Sequence, residues 1–123
     1  LAGQRRVPIT CRMEGDAPAV PQVALLLYDA AAEGVGNALR HAEPARIDVQ
    51  VAVEGSGATI TVEDDGRGFA RAADAPAVPL SGLRRLEAQA AVLGGGLEVD
   101  SSPGRGTVLT VWVPNTPAAP RGA

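Results

Sequence analysis

Residues 46–64 of the chain read RIDVQVAVEGSGATITVED, and they carry its clearest structural signal. Apolar residues occupy every second position on both sides of the Gly-Ser-Gly segment at 55–57. Because successive side chains of a β-strand point to opposite faces, this alternation predicts two half-buried strands, 46–53 and 58–64. The short glycine-rich connection predicts that the two strands pair as a hairpin.

The segments before this hairpin predict a strand and a long helix. Residues 7–14 alternate between apolar and polar side chains, which indicates a half-buried strand with Cys11 packed in the core. Residues 20–42 are typical of a helix that Pro44 would end, because apolar residues recur every three or four positions. The predicted apolar stripe of this helix comprises Tyr28, Ala31, Val35, Ala38, Leu39 and Ala42.

The segments after the hairpin predict a loop, a second helix and a second pair of strands. Residues 70–81 are rich in Ala and Pro and have no clear period, so we expect a mobile loop there. Residues 82–93 predict a helix, and Gly94 follows at the position where helices commonly end in glycine. Strands are predicted over 97–102 and 106–113, joined by a Pro-Gly turn of type II.

The order of these elements predicts the fold class. Strand, helix, two strands, loop, helix and two strands favour an α+β fold. We expect a two-layer sandwich, in which both helices cover one face of a mixed, mostly antiparallel sheet and the other face meets solvent. A chain of 123 residues suits a single domain, which we expect over residues 1–114, followed by a flexible tail over 115–123.

Composition and charge exclude several classes of function. A net charge of −3 disfavours a protein that coats nucleic acid or anionic lipid. All 11 basic residues are Arg, and the absence of Lys excludes the Walker A phosphate loop and Schiff-base chemistry. Cys11 and His41 are the only residues of their types, so neither an intrachain disulfide nor a Cys/His zinc site can form. We expect a cytoplasmic domain without direct membrane contact.

One face of the long helix groups polar side chains. At about 100° per residue, Glu33, Asn37, Arg40 and His41 fall within an arc of roughly 120°. The arc has two interpretations, a solvated helix face or one wall of a binding site. Gly34 and Gly36 in the same stretch each cost about 1 kcal/mol relative to Ala inside a helix. Their presence is compatible with the close approach of a ligand or of another backbone.

A second polar group is predicted at the end of the 58–64 strand. By strand parity Asp64 shares the inner face with Ile60 and Val62, whereas Asp65 lies on the solvated face. Thr107 is inward by the same argument in the last strand. A carboxylate and a hydroxyl that converge in an apolar setting can read the donor and acceptor atoms of a flat base. The alternative is local chemistry, in which Asp and Gly form a turn and Thr107 is satisfied by its neighbours.

Several motifs in order resemble one family. Residues 33–42, EGVGNALRHA, look like the N box of the GHKL ATPase superfamily, and residues 64–69, DDGRGF, look like its DxGxG box. The Gly-Leu pair at 82–83, LGGGLEV at 93–99 and SPGRGT at 102–107 resemble the second glycine box and the terminal Gly-Thr motif. The resemblance covers residues 7–114 and points to the catalytic, ATP-binding domain of bacterial sensor histidine kinases, with the NarL-type subgroup fitting best. It implies a Bergerat-type ATP-binding fold.

The resemblance also implies roles for individual residues. Asp64 would accept a hydrogen bond from the adenine amino group, with Thr107 close by. Asn37 would ligate Mg²⁺, and Glu33 would be the catalytic residue that orients or activates the attacking group. The other cofactor-binding positions would be Arg40 and His41 on the phosphate or ribose side, and Gly66, Gly68, Gly82 and Leu83 in the glycine boxes. Residues 70–81 would form the ATP lid.

The resemblance further implies partners that this chain lacks. The domain would donate the γ-phosphate of ATP to a His on a separate dimerisation domain of the same protein, and the phosphate would then pass to a response regulator. The full-length protein would be a homodimer, with this domain in the cytoplasm, either free or as the cytosolic part of a membrane-bound receptor. Two alternatives stay open, an anti-sigma-type Ser kinase and a degenerate nucleotide-binding or regulatory module. The degenerate module is favoured by VPLS at 78–81, where the family usually has more glycine.

Overall fold

The computed structural model describes residues 6–42, 44–66 and 81–115. Within these ranges the chain forms five strands, two α-helices and one π-helical turn. In chain order they are β1 (Ile9–Gly15), α1 (Pro21–Asn37), the π turn (Ala38–Ala42), β2 (Ile47–Val53), β3 (Ala58–Asp64), α2 (Ser81–Val92), β4 (Gly96–Ser101) and β5 (Thr107–Val113). Neither helix of the described ranges is long and apolar enough to cross a membrane.

The five strands form one mixed sheet in the order β1-β2-β3-β5-β4. β1 runs parallel to β2, because α1 carries the chain back across the sheet between them, and the other neighbouring pairs are antiparallel. Both helices pack on the same face, α1 over β3 and its neighbours and α2 over β4 and β5. The predicted α+β sandwich with a mixed, mostly antiparallel sheet is therefore confirmed.

The core lies between the helices and the inner sheet face. Alternate residues of β2, β3 and β5 are buried there, as their sequence pattern predicts. The predicted stripe of α1 is wrong in part, since Tyr28 is 70% and Leu39 is 49% exposed. The helix instead buries Val23, Leu26, Leu27 and Ala30. Residues 23–28 are almost all apolar, so the sequence offers two neighbouring stripes, and the direction in which α1 meets the sheet selects one of them.

β1 differs from its predicted burial. Every residue of this strand is exposed, including Cys11, which was expected in the core, and Met13, which is 75% exposed. β1 is an edge strand that pairs only with β2, and α1 lies over β3 rather than over this edge. Its alternation therefore marks which side chains share a face, but that face has no helix above it.

The turn chemistry agrees with the sequence. Glu54 and Gly57 exchange backbone hydrogen bonds across the β2–β3 hairpin. Gly94 has a φ of 89°, and the N–H of Gly95 donates to the carbonyl of Ala90, as in a Schellman motif. Gly104 has a φ of 80°, which is the left-handed conformation that a type II turn requires at its third residue.

The end of the described chain is anchored, although the sequence predicts that the flexible tail begins at Asn115. The Asn115 side chain is buried, and its Nδ2 donates hydrogen bonds to the carbonyl oxygens of Pro18 and Glu54. Its Oδ1 accepts a hydrogen bond of 3.0 Å from the backbone N–H of Val20. The prediction is therefore wrong for Asn115, whose amide ties three segments together. The rest of the predicted tail, 116–123, lies outside the described residues.

Candidate functional site

The predicted site residues that the structure describes lie where α1, α2 and the ends of two strands meet. Asp64 at the end of β3 pairs directly with Thr107 at the start of β5. A Cβ atom on Gly34 would lie 2.9 Å from the Cβ of Val62, so α1 closely approaches β3 one inward residue before Asp64. This contact explains Gly34 by the approach of another chain segment. It also puts the polar face of α1 beside the Asp64 end of the sheet.

Asp64 and Asp65 occupy opposite environments, as strand parity predicts. Asp64 is 7% exposed on the inner face, and its Oδ1 accepts a hydrogen bond of 2.8 Å from the backbone N–H of Gly66. Burial raises the pKa of Asp64 above its ordinary value, while hydrogen bonds from the backbone N–H groups of Gly66 and Thr107 act in the opposite direction. The protein thus holds a buried hydrogen-bond acceptor at this position.

Asp65 has a structural role at the edge of the site. Its Oδ1 accepts hydrogen bonds from the backbone N–H groups of Ala45, at 2.8 Å, and Arg46, at 3.0 Å. These donors hold the pKa of Asp65 below its ordinary value, with the Arg46 N–H as the main cause. The side chain therefore ties the end of β3 to the segment that enters β2, and it does not face the helices.

Ser101, to which the sequence analysis gives no role, and Gly106 of the Gly-Thr motif support Thr107. The hydroxyl oxygens of Ser101 and Thr107 are 2.8 Å apart, and Ser101 Oγ donates to the carbonyl of Gly106. Gly106 has a φ of 81°, and a Cβ atom at this residue would overlap the carbonyl oxygen of Asp64. The parity of Ser101 with Thr107 across a tight turn is the sequence signal that could have found this pair.

The helix face brings Asn37 and Arg40 together. Arg40 Nη2 donates a hydrogen bond of 2.9 Å to Asn37 Oδ1. A Cβ atom on Gly36 would lie 2.8 Å from Arg40 Nη1, so Gly36 provides the space in which the guanidinium lies. Arg40 belongs to the π turn, a feature that often marks functional sites and that the 100° helical projection did not predict. The side chain of His41 lies outside the described residues.

Glu33 contacts the beginning of α2. Its side chain is 18% exposed, and Arg85 Nη2 lies 3.9 Å from its Oε1. A Cβ atom on Gly82 would overlap the Glu33 carboxylate, so only glycine allows this approach. Gly82 therefore lies close to the polar face of α1. Gly68 lies outside the described residues, and so does the predicted lid, apart from Ser81 at the start of α2.

These groups give the candidate site two ends that differ in their chemistry. At the sheet, a buried carboxylate and a hydroxyl can recognise a flat polar ring. At the helix, Glu33 and Asn37 present oxygen atoms on successive turns, beside the guanidinium of Arg40. Carboxylate and amide oxygens suit a hard divalent cation, and a guanidinium suits phosphate. The donor set therefore fits a nucleotide together with Mg²⁺.

Comparison with known proteins identifies the family. The profile of the family described as histidine kinase-, DNA gyrase B-, and HSP90-like ATPase matches residues 22–117, which is more than half of the chain. The chain belongs to this family. It is therefore an ATPase domain, and an ATPase domain binds ATP.

Individual relatives of this ATPase domain are histidine kinases. A sensor-like histidine kinase of Chloroflexus aurantiacus is 34% identical over 92 residues, which are 72% of this chain and 15% of that protein. The signal transduction histidine-protein kinase/phosphatase DegS of Bacillus subtilis is 32% identical over 95 residues, 76% of this chain and 25% of DegS. The ATPase domain thus spans a quarter or less of the length of these two curated relatives.

A solved structure agrees with them. The histidine kinase domain of the blue-light activated histidine kinase from Erythrobacter litoralis superposes with a TM-score of 0.65 at 31% identity, covering 89% of this chain and 56% of that one. Together with the family match, these relatives confirm the resemblance to GHKL domains of sensor histidine kinases, the NarL-type subgroup included. The domain is an ATP-binding catalytic domain of the sensor histidine kinase type.

Proposed function

We propose that this ATPase domain binds Mg²⁺-ATP between α1 and the Asp64 end of the sheet and donates the γ-phosphate to a His on a separate dimerisation domain of the longer protein. One observation carries the proposal. A buried carboxylate, Asp64, lies paired with Thr107 beside a helix face that bears Glu33, Asn37 and Arg40. In this arrangement the groups that would bind the base lie at the sheet, and the groups that would bind the phosphates lie on the helix.

At the sheet end of the proposed site, the Asp64 carboxylate accepts a hydrogen bond from the adenine amino group. The backbone N–H of Gly66 already holds one carboxylate oxygen, which fixes the orientation of the side chain. The Thr107 hydroxyl lies 2.8 Å from that of Ser101, and because a hydroxyl oxygen has two lone pairs, it can still accept a hydrogen bond from the base or from a bridging water molecule. Because the inner face is apolar around them, these hydrogen bonds are stronger than they would be in water.

At the helix end of the proposed site, the residues of α1 bind and orient the triphosphate. Asn37 would hold Mg²⁺ through its amide oxygen, and a bound Mg²⁺ neutralises the charge of the phosphates. Arg40 and His41 contact the phosphate or ribose side, and Glu33 orients the attacking imidazole of the partner domain. Phosphoryl transfer depends mainly on positioning and charge stabilisation, and these side chains supply both.

The remaining assignments are part of the same proposal. Residues 70–81 act as the ATP lid, and Gly66, Gly68, Gly82 and Leu83 let the backbone approach the nucleotide. The ATPase domain comprises residues 1–114 together with Asn115, and the anchoring of the Asn115 side chain supports this boundary. The partners are the His-containing domain of the same protein, which forms a homodimer in the cytoplasm or on the cytosolic side of a receptor, and a response regulator. Nucleic acid and membrane are not partners of this domain.

The proposal is tested with the acceptor domain present and absent. The chain alone, incubated with Mg²⁺ and labelled ATP, is expected to take up no acid-labile phosphate. Its only His, His41, belongs to the proposed nucleotide site and cannot also be a remote acceptor. After addition of the dimerisation domain of the longer protein, we expect acid-labile phosphate on that partner.

The control is the Asn37→Ala variant, which removes the proposed Mg²⁺ ligand and should reduce partner labelling by at least about tenfold. Acid-labile phosphate on the isolated chain would contradict the assignment of His41. Acid-stable phosphate on Ser would favour the anti-sigma-type kinase. No transfer and no nucleotide binding would favour the degenerate module.

A further inference from the structure

Arg85 is a cation beside Glu33 that the roles above leave unused. Its Nη2 lies 3.9 Å from Glu33 Oε1. Arg85 is the fifth residue of α2, three residues after Gly82, and a Cβ atom on Gly82 would overlap the Glu33 carboxylate. The Arg85 side chain is 72% exposed, whereas that of Glu33 is 18% exposed. The guanidinium therefore reaches a fixed carboxylate from the solvent side of the site.

The contact between the two charges is weak. A distance of 3.9 Å exceeds hydrogen-bonding range, so this contact does not use an N–H donor of the guanidinium. An ion pair with one exposed partner contributes only about 0–1 kcal/mol. Arg85 can therefore leave Glu33 at little cost when a stronger anion arrives. A phosphate is such an anion, since it accepts two parallel hydrogen bonds from one guanidinium.

We propose that Arg85 is a ligand of the terminal phosphate of ATP and that this phosphate and Glu33 compete for its guanidinium. The inference rests on the proposed nucleotide site, because the phosphates must extend along α1 toward Glu33. The chain has no Lys, so among its side chains only Arg offers a permanent positive charge to the phosphates. A triphosphate reaches Arg85 and frees the Glu33 carboxylate. A diphosphate is one phosphate shorter and leaves the ion pair in place. Arg85 is thus the residue that distinguishes ATP from ADP.

The test is calorimetric titration of the 123-residue chain with AMP-PNP and with ADP, each with Mg²⁺. Arg85→Gln is expected to weaken AMP-PNP binding by about tenfold and to change ADP binding by less than about twofold. Arg85→Lys keeps the charge without the planar fork and should show an intermediate loss of about threefold. Arg84→Gln is the matched control, because Arg84 is an exposed neighbour with the same charge, and both affinities should stay within about twofold.

A second variant tests the competition itself. Glu33→Gln removes the rival carboxylate and should tighten AMP-PNP binding by about two- to fivefold. The same change made on top of Arg85→Gln should have no such effect, because the two residues then share no interaction. Circular dichroism of each variant establishes that the chain is folded.

The outcomes separate this inference from the proposed function. Equal losses for AMP-PNP and ADP in Arg85→Gln, or no loss for either, overturn the role of Arg85 while the nucleotide site stands. A Glu33→Gln effect that persists without Arg85 overturns the competition. Absence of binding of either nucleotide to the unaltered chain overturns both the site and the inference.

Discussion

Asp64→Asn is expected to weaken binding of an ATP analogue by about one to two orders of magnitude, whereas Asp65→Asn should change it by less than about threefold. The Asp64 carboxylate faces the inner side of the sheet and accepts from Gly66, so an amide in its place offers a donor toward the adenine amino group, which also donates. Asp65 faces away and binds the N–H groups of Ala45 and Arg46. Both affinities are measured in one calorimetric series.

The two variants should also change stability in opposite directions. Because burial raises the pKa of Asp64, its charged form opposes folding above that raised pKa, and Asp64→Asn should raise the midpoint of thermal unfolding at neutral pH. Because backbone donors lower the pKa of Asp65, its charge stabilises the fold above its ordinary pKa, and this contribution is lost as the pH falls through the lowered value. Asp65→Asn should therefore lower the midpoint at neutral pH. If Asp65→Asn is instead the more harmful change for binding, the assignment of Asp64 to the base is wrong.

Gly106→Ala is expected to destabilise the domain by at least about 3 kcal/mol and to abolish nucleotide binding. A left-handed backbone costs a non-glycine residue about 1–2 kcal/mol, and Gly106 has a φ of 81°. The new methyl group would in addition overlap the carbonyl of Asp64, so the ends of β3 and β5 must separate. The measurement is urea unfolding of both proteins, followed by titration with the ATP analogue.

Gly104→Ala is the matched control for this effect. Gly104 has nearly the same φ, 80°, but a Cβ atom there would have no neighbour within 4 Å. Its substitution should cost only the backbone strain of about 1–2 kcal/mol and leave nucleotide affinity unchanged. Equal losses in the two variants would mean that the contact between Gly106 and Asp64 does not shape the site.

Local patterns in the sequence predict much of this fold. The strict alternation over 46–64 predicts both strands and the inward position of Asp64, because strand parity depends only on the backbone. Gly94 and Gly104 also predict their turns from the backbone alone, because only glycine adopts these backbone angles without strain. The face shared by Asn37 and Arg40 follows from helical spacing, even though a π turn replaces the last α-helical turn.

The features that the sequence does not predict depend on how distant segments meet. β1 alternates like a core strand, but its edge position and the placement of α1 leave Cys11 exposed. The run of apolar residues at the start of α1 does not indicate which stripe is buried. The approach of Glu33 to Gly82 and Arg85 joins segments about 50 residues apart, and the anchoring of Asn115 joins segments nearly 100 apart. A pattern within one stretch of sequence does not show which distant segments come into contact.

Calorimetric titration of the unaltered chain with AMP-PNP, with and without Mg²⁺, decides whether α1 and the Asp64 end of the sheet form one nucleotide site. We expect a single site that binds in the presence of Mg²⁺ and weakens by at least about tenfold when the metal is chelated, because Asn37 would hold a cation that neutralises the charge of the phosphates. Asn37→Ala should lose most of this dependence on Mg²⁺. Absence of binding at millimolar nucleotide, or binding that ignores both Mg²⁺ and Asn37, would contradict the account.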